Sequence, residues 1–153
     1  MARSTSSSEL SSHLGFWLRY VSNHVSSAFA RKVEAHGVTV AEWVLMRQLL
    51  DESAAAPSRL AERMGMTRGA ISKLSERLLV KGFVKRTEDP SDGRAHALSL
   101  TPAGRSLVPK LAALADTNDS EFFDHLTKKQ RADLLRILQG IVERRDLTRI
   151  PVD

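Results

Sequence analysis

Residues Leu60 to Leu100 read LAERMGMTRGAISKLSERLLVKGFVKRTEDPSDGRAHALSL, and how this stretch folds decides how the whole chain folds. Ile71, Leu74 and Leu78 recur at helical spacing, with Leu79 widening the stripe, so one face of a helix is predicted to be buried. A shorter helix runs up to Met64, and Gly65-Met66 makes the turn between the two. Thr67 is placed to cap the second helix, its hydroxyl accepting one of the backbone N–H groups that a helix start leaves without a partner. Met66 and Ile71 flank that cap at the spacing of a hydrophobic staple. Gly82 ends the helix, because glycine tolerates the left-handed backbone of a helix stop. The opposite face carries Arg68, Ser72, Lys73, Glu76 and Arg77, with the first three in its N-terminal half. A helix that is apolar behind and basic and hydroxylic in front is how the second helix of a helix-turn-helix is built, and its first turns are the part that meets base edges.

A hairpin is predicted next, with strands Phe83–Thr87 and Ala95–Leu100. Between them lies EDPSDGR, rich in turn formers and too short for structure of its own. Arg94 sits at this tip, and Asp92 is placed to orient its guanidinium through a charge-assisted hydrogen bond. An arginine on a thin wing suits a narrow minor groove, where the negative potential is enhanced.

The segments GFVKR (82–86), DPSDGRA (89–95) and LSLTPAG (98–104), in this order and at these spacings, resemble the MarR family of winged-helix transcriptional regulators. Asp92-Gly93-Arg94 matches that family's D-x-R wing, and Leu100 to Gly104 matches its LT-x-x-G opening of the next helix. The resemblance covers roughly residues 9 to 147. It implies a mainly α fold of six helices with a winged helix-turn-helix and a small β-hairpin wing. It implies a homodimer through the N- and C-terminal helices, residues 9–36 and 103–147, with 39–101 as the DNA-binding region. Residues 1–8 are Ser-rich and expected to be disordered, and 148–153 form a loose tail. The residues expected at DNA are Thr67, Arg68, Gly69, Ser72, Lys73, Arg77, Arg86, Asp92 and Arg94. The resemblance further implies a small aromatic or amphipathic effector held between the dimerisation helices and the reading head. His13, Trp17, Tyr20, His24, Trp43 and Arg47 lie on the two helices that would border that space. Indole and imidazole rings there would flank a ring, and Arg47 would hold a carboxylate. Spacing leaves open whether Trp17 faces a pocket or a second subunit.

Composition agrees with this class. At 153 residues the length prior gives one domain. The chain has no cysteine, which excludes disulfides, cysteine zinc sites and thiol-based sensing. No signal-like or membrane-spanning apolar run is found, so a cytoplasmic protein without membrane contact is expected. Net charge is unevenly placed: residues 57–110 hold 11 Lys/Arg against 5 Asp/Glu, while 1–56 hold 5 of each and 111–153 hold 7 against 8. The excess therefore sits on the predicted reading head, an electrostatic footprint for double-stranded DNA. The five histidines show no metal-ligand spacing, and no nucleophile elbow or phosphate-binding glycine loop is present, so no metal, cofactor or enzymatic activity is expected. Two other readings keep the fold, a protein-interaction module and a nonspecific DNA-coating protein.

The flanks are helical. One long helix is predicted from Glu9 to about His36, stopped by Gly37, and its length suggests a subunit interface. Thr39-Val40-Ala41-Glu42 is a capping box for the next helix. A loop follows, and Pro57 suits a first helical position although Ala56 lacks a capping side chain. Thr101-Pro102 opens a helix that the polar run Asp116–Asp119 is expected to interrupt. Thr127 to Gln130 is a second capping box, opening a last helix to about Arg145.

Overall fold

The structure is a computed structural model describing residues 7–89 and 92–153, without the side chains of 89 and 92–95. Among these residues the chain forms six α-helices and one antiparallel hairpin. The helices are α1 (Leu14–Glu34), α2 (Val40–Leu50), α3 (Pro57–Met64), α4 (Arg68–Val80), α5 (Pro102–Phe123) and α6 (Lys128–Arg144). The hairpin strands are β1 (Val84–Asp89) and β2 (Asp92–Leu100).

The helix starts follow the sequence signals. Thr39, Thr67, Thr101 and Thr127 each accept a hydrogen bond from the backbone N–H three residues on. Thr39–Glu42 and Thr127–Gln130 close complete capping boxes. α3 opens on Pro57 with no side-chain cap at Ala56. Gly65, at φ 62°, and Gly82, at φ 77°, end α3 and α4 in the left-handed region where side chains are strained.

The core is built where these helices cross. Leu45, Met46 and Leu49 of α2 meet Leu60 and Met64 of α3, Ile71 and Leu78 of α4, and Val108 and Leu111 of α5. Val84 pairs with Leu100 across the hairpin, and Ala55 adds a bridge to Leu98 through two backbone bonds of 2.9 and 2.8 Å. The loop before α3 is thereby stitched to the root of the wing.

Four expectations are corrected. The first helix does not run unbroken from Glu9 to His36: Leu10–Ser12 form a 3-10 turn, His13 is extended, and α1 spans Leu14–Glu34. Local side-chain bonds compete with the helix there, since Trp17 Nε1 donates to the Ser11 carbonyl at 2.8 Å and His13 Nδ1 lies 3.1 Å from the Glu9 carbonyl. The run Asp116–Asp119 does not interrupt α5, because its asparagine is turned inward: Asn118 is buried, donates to the Val25 carbonyl at 3.1 Å and accepts from Lys32 Nζ at 3.0 Å. The strands extend further into the tip than expected, leaving Pro90 and Ser91 outside the described residues. The tail is not loose, for Ile150 and Val152 pack against the core. Of the expected disordered start, residues 1–6 lie outside the described residues.

Two helices keep apolar faces uncovered. α6 has no buried residue, and Leu134, Leu135, Ile137, Leu138, Ile141 and Val142 are 38–54% exposed. Leu14, Trp17, Leu18, Tyr20 and Val21 of α1 are exposed to a similar degree or more. The other side of α6 is a solvated one, where a hydrogen bond from Lys129 holds the Asp133 carboxyl below its ordinary range. No described helix is long and apolar enough to cross a membrane.

Candidate nucleic-acid interface

α4 presents two faces of opposite character. Ile71, Leu74 and Leu78 are buried, which fixes the helix against α2 and α3. Thr67, Arg68, Gly69, Ser72 and Lys73 are all exposed at its N-terminal half. Gly65 turns the chain tightly into this helix, its N–H donating to the Glu62 carbonyl at 3.2 Å while Met66 N–H donates to Ala61 at 2.9 Å. Thr67 Oγ1 accepts from the Ala70 N–H at 3.1 Å. Among the described residues no ion pair involves Arg68 or Lys73.

The other expected DNA contacts are held differently. Arg77, one turn further on, approaches Glu42 Oε1 through its Nε at 3.4 Å. Arg86 of β1 is paired with Glu76 of α4, tying the root of the wing to the helix. Asp92 and Arg94 belong to β2, but their side chains lie outside the described residues.

Glu42 has a part that its capping motif did not reveal. Its side chain is 0% exposed. Oε2 accepts from the Thr39 N–H at 3.2 Å and from Lys81 Nζ at 2.7 Å. The capping box was legible as Thr and Glu three apart; the link to Lys81, 39 residues away, needed the fold.

The six residues proposed for an effector do not converge on one cavity. Trp43 lines a cavity of about 240 Å³ between α1, α2, α5 and the tail, together with Phe29, Val40, Val44, Asn118 and Pro151. Its ring meets Phe29 edge-on at 5.1 Å, and its indole nitrogen is buried without a hydrogen-bond partner among the described residues. His13, Trp17, Tyr20 and His24 instead lie on the exposed N-terminal part of α1 and its cap, with Tyr20 5.1 Å from His24 and 6.4 Å from Trp17 between ring centres. Arg47 borders a separate polar cleft with Asp51, Glu52 and Arg63, where Asp51 already takes its guanidinium at 2.9 Å. Phe29 and Val40 were readable only as core positions, and Asn118 and Pro151 reach the cavity through the unbroken α5 and the folded-back tail.

The comparisons with known proteins fit this geometry. Residues 38–96, from the start of α2 to the wing, match the model of the MarR family. A putative transcriptional regulatory protein for the hcr operon of Thauera aromatica is 27% identical over 133 residues, 86% of this chain and 80% of that one. An HTH-type transcriptional repressor of Mycobacterium bovis is 26% identical over 84% of this chain and 92% of its own length. CouR from Rhodococcus jostii, solved bound to p-coumaroyl-CoA, superposes with a TM-score of 0.76 at 26% identity, covering 88% of this chain and 95% of that one. The Escherichia coli MarR complexed with operator DNA shares the fold at a TM-score of 0.75 and 22% identity, over 84% of this chain and 93% of its own. Residues 38–96 thus match the MarR family of transcriptional regulators, and over more than four-fifths of its length the chain is similar to proteins named as such regulators.

Proposed function

We propose that this protein is a sequence-specific DNA-binding repressor that reads a pseudo-palindromic operator as a homodimer and is released by a small aromatic or amphipathic effector. The observation that carries this reading is α4: its back is buried, and Arg68 and Lys73 stand exposed and unpaired, among the described residues, beside Thr67 and Ser72. Cations placed so displace condensed counterions from phosphate, and hydroxyls and guanidinium reach base edges. Arg77 and Arg86 add phosphate contacts at the flank, and Arg94, oriented by Asp92, enters the neighbouring minor groove. Residues 39–101 act as the reading unit.

Residues 9–36 and 103–147 act as the dimerisation unit. The uncovered apolar faces of α1 and α6 support this, because helices with such faces are stable only when something buries them. His13, Trp17, Tyr20 and His24 belong to that face. Two-fold symmetry then sets half-sites one DNA turn, about 10 bp, apart. The effector enters the cavity at Trp43, whose buried unpartnered indole N–H offers a donor and whose ring offers a stacking surface. The relative CouR, with its bound aromatic acyl-CoA, supports that ligand class. Such a ligand acts only by binding one spacing of the two heads better than the other.

The test is binding to the DNA upstream of the protein's own gene against scrambled DNA, across a salt series. A preference of about a hundredfold or more at physiological salt is expected of a specific regulator. Equal, steeply salt-dependent binding to both would overturn the reading.

A further inference from the structure

We propose that Glu42 is a positioning residue for DNA reading: its buried carboxylate sets how α4 sits on α2, aims Arg77, and withholds Lys81 from the DNA. The inference rests on α4 being the reading helix. It starts from a charge that the capping motif does not need. The second capping box of this chain performs the same task with neutral Gln130, whose Oε1 accepts the Thr127 N–H at 2.9 Å. Glu42 makes the equivalent bond to Thr39 at 3.2 Å, yet it is 0% exposed and is an acid where the other box has an amide. A buried carboxylate is tolerated only where cations and donors satisfy it.

Beyond the Thr39 N–H, both cations beside it come from the end of α4, and Oε1 accepts no hydrogen bond among the described residues. Lys81, the C-terminal cap residue of α4, donates to Oε2 at 2.7 Å, and Arg77, one turn earlier, approaches Oε1 at 3.4 Å. Two tethers one turn apart restrain both the tilt and the rotation of the helix, and its N-terminal half projects beyond them toward DNA. A small tilt at this anchored end displaces Arg68 and Lys73 in proportion to their distance from it along the helix. The two cations are treated unequally. Arg77 is met through Nε and stays 55% exposed, so the carboxylate orients it while leaving its guanidinium open to DNA. Lys81 is 34% exposed and directs its only charge inward.

Glu42→Gln separates these roles, because glutamine keeps the cap and the volume while removing the charge. The experiment uses the full chain, its upstream DNA and scrambled DNA. For Glu42→Gln, preference for the upstream DNA falls about tenfold or more, while binding to scrambled DNA holds or tightens. The salt slope on scrambled DNA steepens by about one, the increment for one added phosphate contact, as Lys81 is freed. Adding Lys81→Gln returns the slope to the wild-type value. A merely structural role would weaken both DNAs together with the slope unchanged, and that result overturns the proposal. Lys81→Gln alone, at a half-exposed position that tolerates folding, gives a second reading: preference falls several-fold and the slope stays at wild type. A slope shallower by about one would mean that Lys81 already contacts phosphate, and the proposal fails. A wild-type protein without preference for its upstream DNA would overturn the reading of α4 and this inference with it. Wild-type preference that survives both substitutions would overturn this inference alone.

Discussion

Gly104→Ala tests how α5 is joined to the root of the wing. Gly104 lies in the first turn of α5 and is buried. A Cβ built there would stand 2.1 Å from the Phe83 carbonyl oxygen, 3.0 Å from the Phe83 carbonyl carbon and 3.2 Å from Leu100 Cδ2. The oxygen is backbone and is already engaged, accepting the Thr101 N–H at 3.1 Å. Thr101 Oγ1 in turn donates to the Gly82 carbonyl at 2.6 Å and accepts the Gly104 N–H at 3.1 Å. Relieving the contact therefore means moving the start of α5 about 1 Å from the root of the wing and stretching these bonds, since no flexible side chain can yield. Overpacking typically costs about 1–3 kcal/mol, and a clash with backbone belongs at the upper end, about 3 kcal/mol. For a chain of this size that lowers the thermal midpoint by about 6–12 °C. The assay is thermal unfolding of wild type and variant at one matched protomer concentration, because association shifts the midpoint. A change under about 2 °C would refute the reasoning, showing that the Gly104 junction yields freely.

Three further outcomes follow from the same geometry. Arg68→Ala or Lys73→Ala should relax base preference, or weaken binding uniformly with a salt slope shallower by about one, as read by titration on operator variants. Leu138→Lys places a charge in the exposed apolar row of α6 and should shift the protein to a monomer in sedimentation equilibrium; an unchanged dimer would remove α6 from the interface. Thr67→Ala removes the hydroxyl that accepts the Ala70 N–H and should cost about 1 kcal/mol in urea unfolding, with operator affinity falling as the first turn of α4 frays.

Much of the fold was legible because its signals are local. Each Thr cap, the glycine stops and the Ile71–Leu74–Leu78 stripe are decided within a turn or two of helix. What misled were residues whose partners are remote. Asp116–Asp119 reads as a loop until Asn118 is seen buried against Val25 and Lys32 of α1. Ile150 and Val152 look like fraying chain until they are seen packed against the core. The exposed basic face of α4 was legible for a related reason: an exposed cation next to a buried stripe needs only helical periodicity. The cavity was not, because it forms between three helices and the tail, and of the residues proposed for it only Trp43 reaches it.

α2 has eleven residues and almost no side to spare. Val40, Trp43 and Val44 face the cavity, Leu45, Met46 and Leu49 fill the core, and Glu42 holds the end of α4. Under the proposed function, a substitution on this helix that retunes effector choice also disturbs the seat of the reading helix. Ser26 and Phe29 on α1 and Pro151 in the tail border the same cavity without carrying that second duty. Natural variation in ligand preference, and any laboratory selection for a new inducer, should accumulate on the α1 and tail walls and leave α2 comparatively still.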